Sequence, residues 1–140
     1  MKRNDNMSNP VAATAPIVLT VCVTCRRGLS PSELGEAPLP GRLLYEALQT
    51  RLSEGEVLLR PVECMSSCNR GCMAAASMPG KWTFLLAGMG PEKADDLVEW
   101  VKLYSASKTG MVPVSKRPAS LADMVIARLP GAMANTEKPL

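Results

Sequence analysis

Hydrophobic positions along the chain fall into short blocks whose spacing changes from one block to the next. Residues 16–23, PIVLTVCV, are β-branched and nearly continuous, the pattern of a buried strand. In residues 41–54, GRLLYEALQTRLSE, Leu43, Leu44, Ala47, Leu48 and Leu52 recur at helical spacing, and Gly55 follows as the stop. Residues 56–63, EVLLRPVE, predict a second strand. Its Pro61 assigns it to an edge or an irregular end, because proline cannot donate to a ladder. MAAASM and WTFLLAGM flank PGK, which predicts a β-hairpin closed by a Pro-Gly turn. Residues 90–107 predict a second helix, with Pro91 near its start and Ala94, Leu97, Val98, Val101 and Tyr104 as its apolar stripe. Leu121, Met124, Val125 and Leu129 share one side of a short third helix over 118–130.

The intervening stretches are punctuation. CVTCRRGLSPSELGEAPLPG is rich in Gly, Pro and Ser and reads as a long loop. Residues 1–15 read as a disordered lead-in and 131–140 as a disordered tail. Residues 16–107 then form the main domain, with 108–130 a linker and helix that pack on it. The order strand, helix, strand makes a βαβ unit with parallel strands and a right-handed crossover. Adding a hairpin and a helix predicts an α/β domain of thioredoxin-like type: a four-stranded mixed sheet, two packing helices and a short C-terminal helix. A ferredoxin-like plait requires a different order.

Composition narrows the chemistry. The 140 residues are 46% hydrophobic, ordinary for a globular domain. The net charge of +3 is too weak and too interspersed to point to nucleic acid. Lys2, Arg3 and the apolar run 11–23 imitate a signal peptide, but Asn4, Asp5, Asn6 and Pro16 interrupt it and no cleavage motif follows. No apolar run is long enough for a membrane span. The expected address is the cytoplasm, where clustered cysteines bind metal or do redox work more often than they form disulfides. Histidine is absent, which removes the commonest general base and every mixed Cys/His zinc site. Chemistry must therefore rest on the five cysteines.

Cys22 and Cys25 end the first predicted strand, and Cys64 and Cys68 lie just beyond the second. If those strands are parallel, both pairs emerge at one edge of the sheet, as an all-thiolate metal or iron–sulfur centre requires. In CMSSCNRGC the spacing of Cys64, Cys68 and Cys72 would also align them on one helix face. Ser66, Ser67, Asn69 and Gly71 oppose that reading, being better loop residues. Cys72 opens the hairpin and reads equally as a small buried hydrophobe or as a spare ligand. A radical S-adenosylmethionine site needs a shorter second gap and a longer chain. A thioredoxin-type dithiol at Cys22 and Cys25 is the better rival, although Gly28 and Pro31 oppose a helix immediately after CVTC.

The topology and the pattern CVTC…CMSSC resemble the thioredoxin-fold 2Fe–2S ferredoxins, a group that includes the small iron–sulfur subunit of respiratory NADH dehydrogenase. The positions matching that group's ligands are Cys22, Cys25, Cys64 and Cys68. The first gap is two residues here and wider there, and Cys72 stands where Pro or a small residue is usual. Over Val18 to Pro130 the chain also resembles a bacterial family of unknown function described as predicted metal-binding proteins, often associated with cobalamin synthesis. VCVTCRR, CMSSCNRGC, PGKWTFLLAGM, GMVP and RPASLADMVIARLP carry that likeness, which implies Cys22, Cys25, Cys64, Cys68 and Cys72 as motif positions.

The expected function is a 2Fe–2S electron carrier or redox sensor working with a redox partner protein, as a monomer or a homodimer. The alternatives are a four-cysteine zinc or metal-carrier protein, and a thiol–disulfide oxidoreductase using Cys22 and Cys25. Arg26, Arg27 and Arg70 beside the thiols would stabilise the reduced form of a negatively charged centre, and Ser66, Ser67 and Gly71 would let backbone N–H groups approach the sulfurs. Trp82 and Trp100 are expected in the core.

Overall fold

A computed structural model describes residues 17–52, 56–65 and 70–130. The expected lead-in 1–15, the stop at Gly55, the loop residues Ser66, Ser67 and Asn69, the ligand Cys68 and the tail 131–140 lie outside the described residues.

The first strand, β1 (Ile17–Cys22), buries Ile17, Leu19 and Val21. It pairs in parallel with β2 (Val57–Val62), in register Ile17 with Val57 through Cys22 with Val62. On its other side β1 runs antiparallel to β3 (Ala74–Ser77), with Val21 opposite Ala74. A turn from Met78 to Lys81 leads to β4 (Thr83–Leu86); the Lys81 N–H donates to the Met78 carbonyl at 3.0 Å, and Gly80 sits at φ +81°. Proline then glycine at the two central positions is the chemistry of a type II turn, which needs that positive φ. The sheet order is β2-β1-β3-β4-β5, so β2 with its Pro61 is an edge strand as expected.

The fifth strand corrects the expectation of four strands and a C-terminal helix. Residues 118–130 form a single 3-10 turn, Ala119–Leu121, and then β5 (Val125–Leu129), antiparallel to β4. The spacing of Leu121, Met124 and Val125 suited a helix, but Leu121 and Met124 are buried by the turn while the β-branched pair Val125-Ile126 extends. Pro118 and Pro130 leave room for little more than one element, and pairing along β4 closes a ladder that a helix would have left open.

The long loop is also more ordered than its composition suggested. Ser30-Pro31-Ser32-Glu33 is a capping box that starts α1 (Pro31–Leu34): the Glu33 N–H donates to Ser30 Oγ at 3.1 Å, and the Ser30 N–H donates to Glu33 Oε1 at 2.8 Å. These hydrogen bonds hold the Glu33 carboxyl below its ordinary pKa. The two main helices are α2 (Pro40–Gln49), which buries Leu44 and Leu48, and α3 (Ala94–Ala106), preceded by a 3-10 turn over Pro91–Lys93.

The core is aliphatic except for three rings. Trp100 and Tyr104 of α3 stack at 5.2 Å, and Phe84 of β4 meets both edge-on at 5.6 and 5.9 Å. Trp100 is buried as expected, while Trp82 is only partly so and carries Arg128 of β5 over its ring at 4.7 Å. The Tyr104 hydroxyl donates to the Trp82 carbonyl at 2.7 Å, and burial pushes its pKa up to about 12. A phenol that ionises later in the folded than in the unfolded chain contributes stability below pH ~10, its unfolded value, and loses it as pH rises through about 12. Urea midpoints are therefore expected to fall steeply between pH 10 and 12. Tyr104→Phe should flatten that slope while costing about 1 kcal/mol at neutral pH for the lost hydrogen bond.

Candidate metal and thiol site

The site is built on the strand ends that topology places together. Because β1 and β2 are parallel and in register to Cys22 and Val62, the loops that leave them start side by side. They are then stitched: the Val23 N–H donates to the Val62 carbonyl at 2.9 Å, and the Thr24 hydroxyl donates to the Glu63 carbonyl. Cys22 Sγ lies 3.8 Å from Thr24 Oγ1 and 3.9 Å from the Glu63 carbonyl. Cys64 follows Glu63 and is exposed. The antiparallel β3 begins at the same rim, on the other flank of β1. The Cys22 N–H donates to the Met73 carbonyl at 3.1 Å, and Cys72 exchanges two backbone hydrogen bonds with Met89.

Cys22, Cys25 and Cys72 are all buried and unbridged. Cys25 and Cys22 are both near enough to Cys72 to act on it electrostatically. Burial, then the neighbouring Cys25, pushes the Cys72 thiol up to about 12. The Arg27 guanidinium opposes that rise. Cys64 and Cys72 both lie outside helices, so the reading of CMSSCNRGC as one helical face fails for its two described thiols.

Of the three arginines expected at the site, Arg27 is the one engaged with it. Its N–H donates to Cys25 Sγ at 3.3 Å from a left-handed backbone, φ +56°. Its guanidinium pairs with Glu92, with Nη1 to Oε1 at 2.9 Å and Nη2 to Oε2 as the second contact. This pairing raises the Arg27 pKa and lowers that of Glu92. Gly90 makes room for it, since a Cβ there would stand 2.3 Å from Arg27 Nη1. Arg26 instead donates to the Leu29 carbonyl at 3.0 Å, and Arg70 is exposed, its carbonyl accepting the Gly88 N–H.

Sequence reasoning passed over Gly41, which seats α2 against the cysteine loop. Its N–H donates to the Cys25 carbonyl at 3.0 Å, and a Cβ on it would fall 2.1 Å from the Cys22 carbonyl oxygen. The only signal was a glycine directly after the proline that opens the helix. Thr24 gave no signal at all. Of the predicted ligands, the structure buries Cys22, Cys25 and Cys72 near the rim where β1 ends and β3 begins and puts Cys64 on the adjoining loop, while Cys68 is outside the described residues. Among the described residues no three Cys, Asp or Glu side chains stand ready-arranged around a metal position. No described helix is long and apolar enough to cross a membrane.

Two solved structures of a thioredoxin-like [2Fe-2S] ferredoxin from Aquifex aeolicus share this fold. One superposes with a TM-score of 0.52 at 19% identity, covering 85% of this chain and 98% of the other. The second, its wild-type form, gives 0.50 at 18% identity, covering 81% and 98%. The fold is therefore thioredoxin-like, with one strand more than expected. No curated protein matches the sequence. A family model described as protein of unknown function (DUF1636) matches residues 19–131.

Proposed function

The chain belongs to that family, and from the thiols at its sheet rim we propose that it is a cysteine-ligated metal-binding protein, a 2Fe–2S electron carrier or redox sensor. One observation carries the reading: the parallel register of β1 and β2 starts the Cys22 loop and the Cys64 loop at the same edge, joined through Thr24 and Glu63. Fold likeness to a thioredoxin-like [2Fe-2S] ferredoxin supports it. The chemistry of the donor set fits such a group, since the rim offers soft sulfur and the chain has no imidazole to compete.

Cys22, Cys25, Cys64 and Cys68 would hold the centre, with Cys72 in reserve. When bound, a 2Fe–2S centre supplies one-electron transfer, which requires no catalytic acid or base. The chain's own contribution is electrostatic and steric. The Arg27 N–H to Cys25 Sγ and the guanidinium beside it favour added negative charge at the rim. Buried Cys22, Val23 and Cys25 keep water from that side of the loop. A redox partner protein would exchange electrons at this rim, where Cys64 is exposed.

Purification without oxygen, a visible spectrum and metal analysis test the proposal. The expected result is brown protein with broad visible bands and about two iron and two sulfide per chain. Colourless protein with about one zinc per chain would replace it with a structural or carrier zinc site. Protein without metal but with a reversibly oxidised dithiol would replace it with thiol–disulfide chemistry.

A further inference from the structure

Cys22 is fixed by the sheet, but Cys25 lies beyond the end of β1 and needs other ties. Two are local: the Gly41 N–H donates to its carbonyl at 3.0 Å, and the Arg27 N–H donates to its Sγ at 3.3 Å. The second is made from a left-handed backbone at Arg27, φ +56°, the one such non-glycine residue among the described residues. An arginine has no short polar side chain to ease that conformation, so its surroundings have to hold it.

The hold comes from the other half of the chain. The Arg27 guanidinium reaches Glu92, in the 3-10 turn before α3, through Nη1 to Oε1 at 2.9 Å and through Nη2 to Oε2. A two-point contact of this kind fixes orientation as well as distance. Gly90 leaves space for it. The Gly90 backbone is extended, φ −172°, a conformation any residue adopts, so the chain there does not itself require glycine. The guanidinium does: a Cβ on Gly90 would lie 2.3 Å from Nη1, 2.4 Å from Cζ and 2.7 Å from Nη2. The turn is itself anchored, since the Lys93 N–H donates to the Gly90 carbonyl at 2.9 Å and Lys93 Nζ to the Gly88 carbonyl at 3.0 Å. Arg27 and Glu92 are 34% and 55% exposed, and an ion pair so open adds little to overall stability. Its effect is local, on where the loop sits.

We propose that Glu92 is a positioning residue for Cys25. It clamps the Arg27 guanidinium and so holds the turn from which the Arg27 N–H reaches the Cys25 sulfur. The clamp does not rest on the metal-binding reading. Its consequence does: with the clamp open, the Cys25 loop leaves this conformation more often and a bound centre is released faster.

The test follows the full, reduced chain without and with the centre. In chelator-treated protein, early hydrogen–deuterium exchange is read by mass spectrometry for a peptide spanning 24–30, before β1 exchanges. Glu92→Gln is expected to speed that exchange about fivefold. Gly90→Ala, which keeps both charges and displaces the guanidinium, should do the same. Asp95→Asn removes the other ion pair of α3, between Arg51 and Asp95 at 2.6 Å, and should leave the loop unchanged. Adding Arg27→Gln to Glu92→Gln should change the exchange no further, as one shared interaction requires. In protein reconstituted with iron and sulfide, visible absorption in excess chelator should decay about fivefold faster for Glu92→Gln than for wild type. Exchange that does not respond to Glu92→Gln and Gly90→Ala overturns the proposal. So does a centre that both variants release at the wild-type rate although the loop has loosened. A wild-type chain that takes up no iron overturns the metal-binding reading instead, and the exchange measurement still decides the clamp.

Discussion

Gly41→Ala is expected to destabilise the protein by about 3 kcal/mol and lower its melting temperature by about 10 °C. The added methyl would sit 2.1 Å from the Cys22 carbonyl oxygen and 3.0 Å from the Cys25 amide nitrogen, and both are backbone atoms that no rotamer change can move aside. Relief requires either α2 or the loop to shift. The helix cannot retreat without lifting Leu44 and Leu48, both fully buried, out of the core. The loop cannot retreat without breaking the Cys22 N–H bond to Met73 and the Val23 N–H bond to Val62. The gain in helix propensity from glycine to alanine, at most about 1 kcal/mol, is too small to offset this. Gly28→Ala is the contrast, because no atom lies within 4 Å of a Cβ there and only the φ of +83° opposes it, a cost of about 1 kcal/mol. Urea unfolding of the two variants checks the difference. Equal losses would mean that the α2 contact yields readily.

The parts of the fold that could be read from sequence are those whose pattern has one physical meaning. A β-branched run ending in CVTC, an amphipathic helix and a second strand make a βαβ unit, and its handedness and parallel pairing follow without further information. That alone brings Cys22 and the Cys64 loop to one edge, as the structure has it. The C-terminal stretch was ambiguous because Leu121, Met124 and Val125 satisfy helical spacing as well as a turn feeding a strand. What decided it was the need of β4 for a partner, a tertiary demand that no local window contains. The position of Cys72 beside the end of β1 was illegible for a similar reason. It depends on the antiparallel register of Val21 with Ala74 and on the path of the loop after β1. Gly41 shows the same limit at a single residue: a glycine near a helix start reads as weak helix until the carbonyl it must accommodate is known.

The cysteines themselves should separate by an all-or-none effect. If the rim holds the proposed 2Fe–2S centre, Cys22→Ser and Cys64→Ser are each expected to remove its visible absorption and reduce iron from about two per chain to a small fraction of that, because a neutral hydroxyl is a poor substitute for thiolate at iron. Cys72→Ser should retain colour and iron. Two of these changes test opposite kinds of site. Cys22 ends β1 with its sulfur directed to the Glu63 carbonyl, on the seam where the two loops join, whereas Cys72 is buried just before β3, its backbone bonded to Met89. Serine at either buried position also places a hydroxyl where a thiol was, so stability losses of about 1–2 kcal/mol are expected at both and cannot by themselves explain a difference in iron content. Near-ultraviolet circular dichroism of the metal-free variants, with Trp100 and Tyr104 as reporters of core packing, establishes that each remains folded. Should Cys72→Ser lose its iron while Cys22→Ser keeps it, the ligand set moves to the β3 flank and Cys72 takes its place within it. If the loss is equal for all three, the centre draws on both flanks of β1.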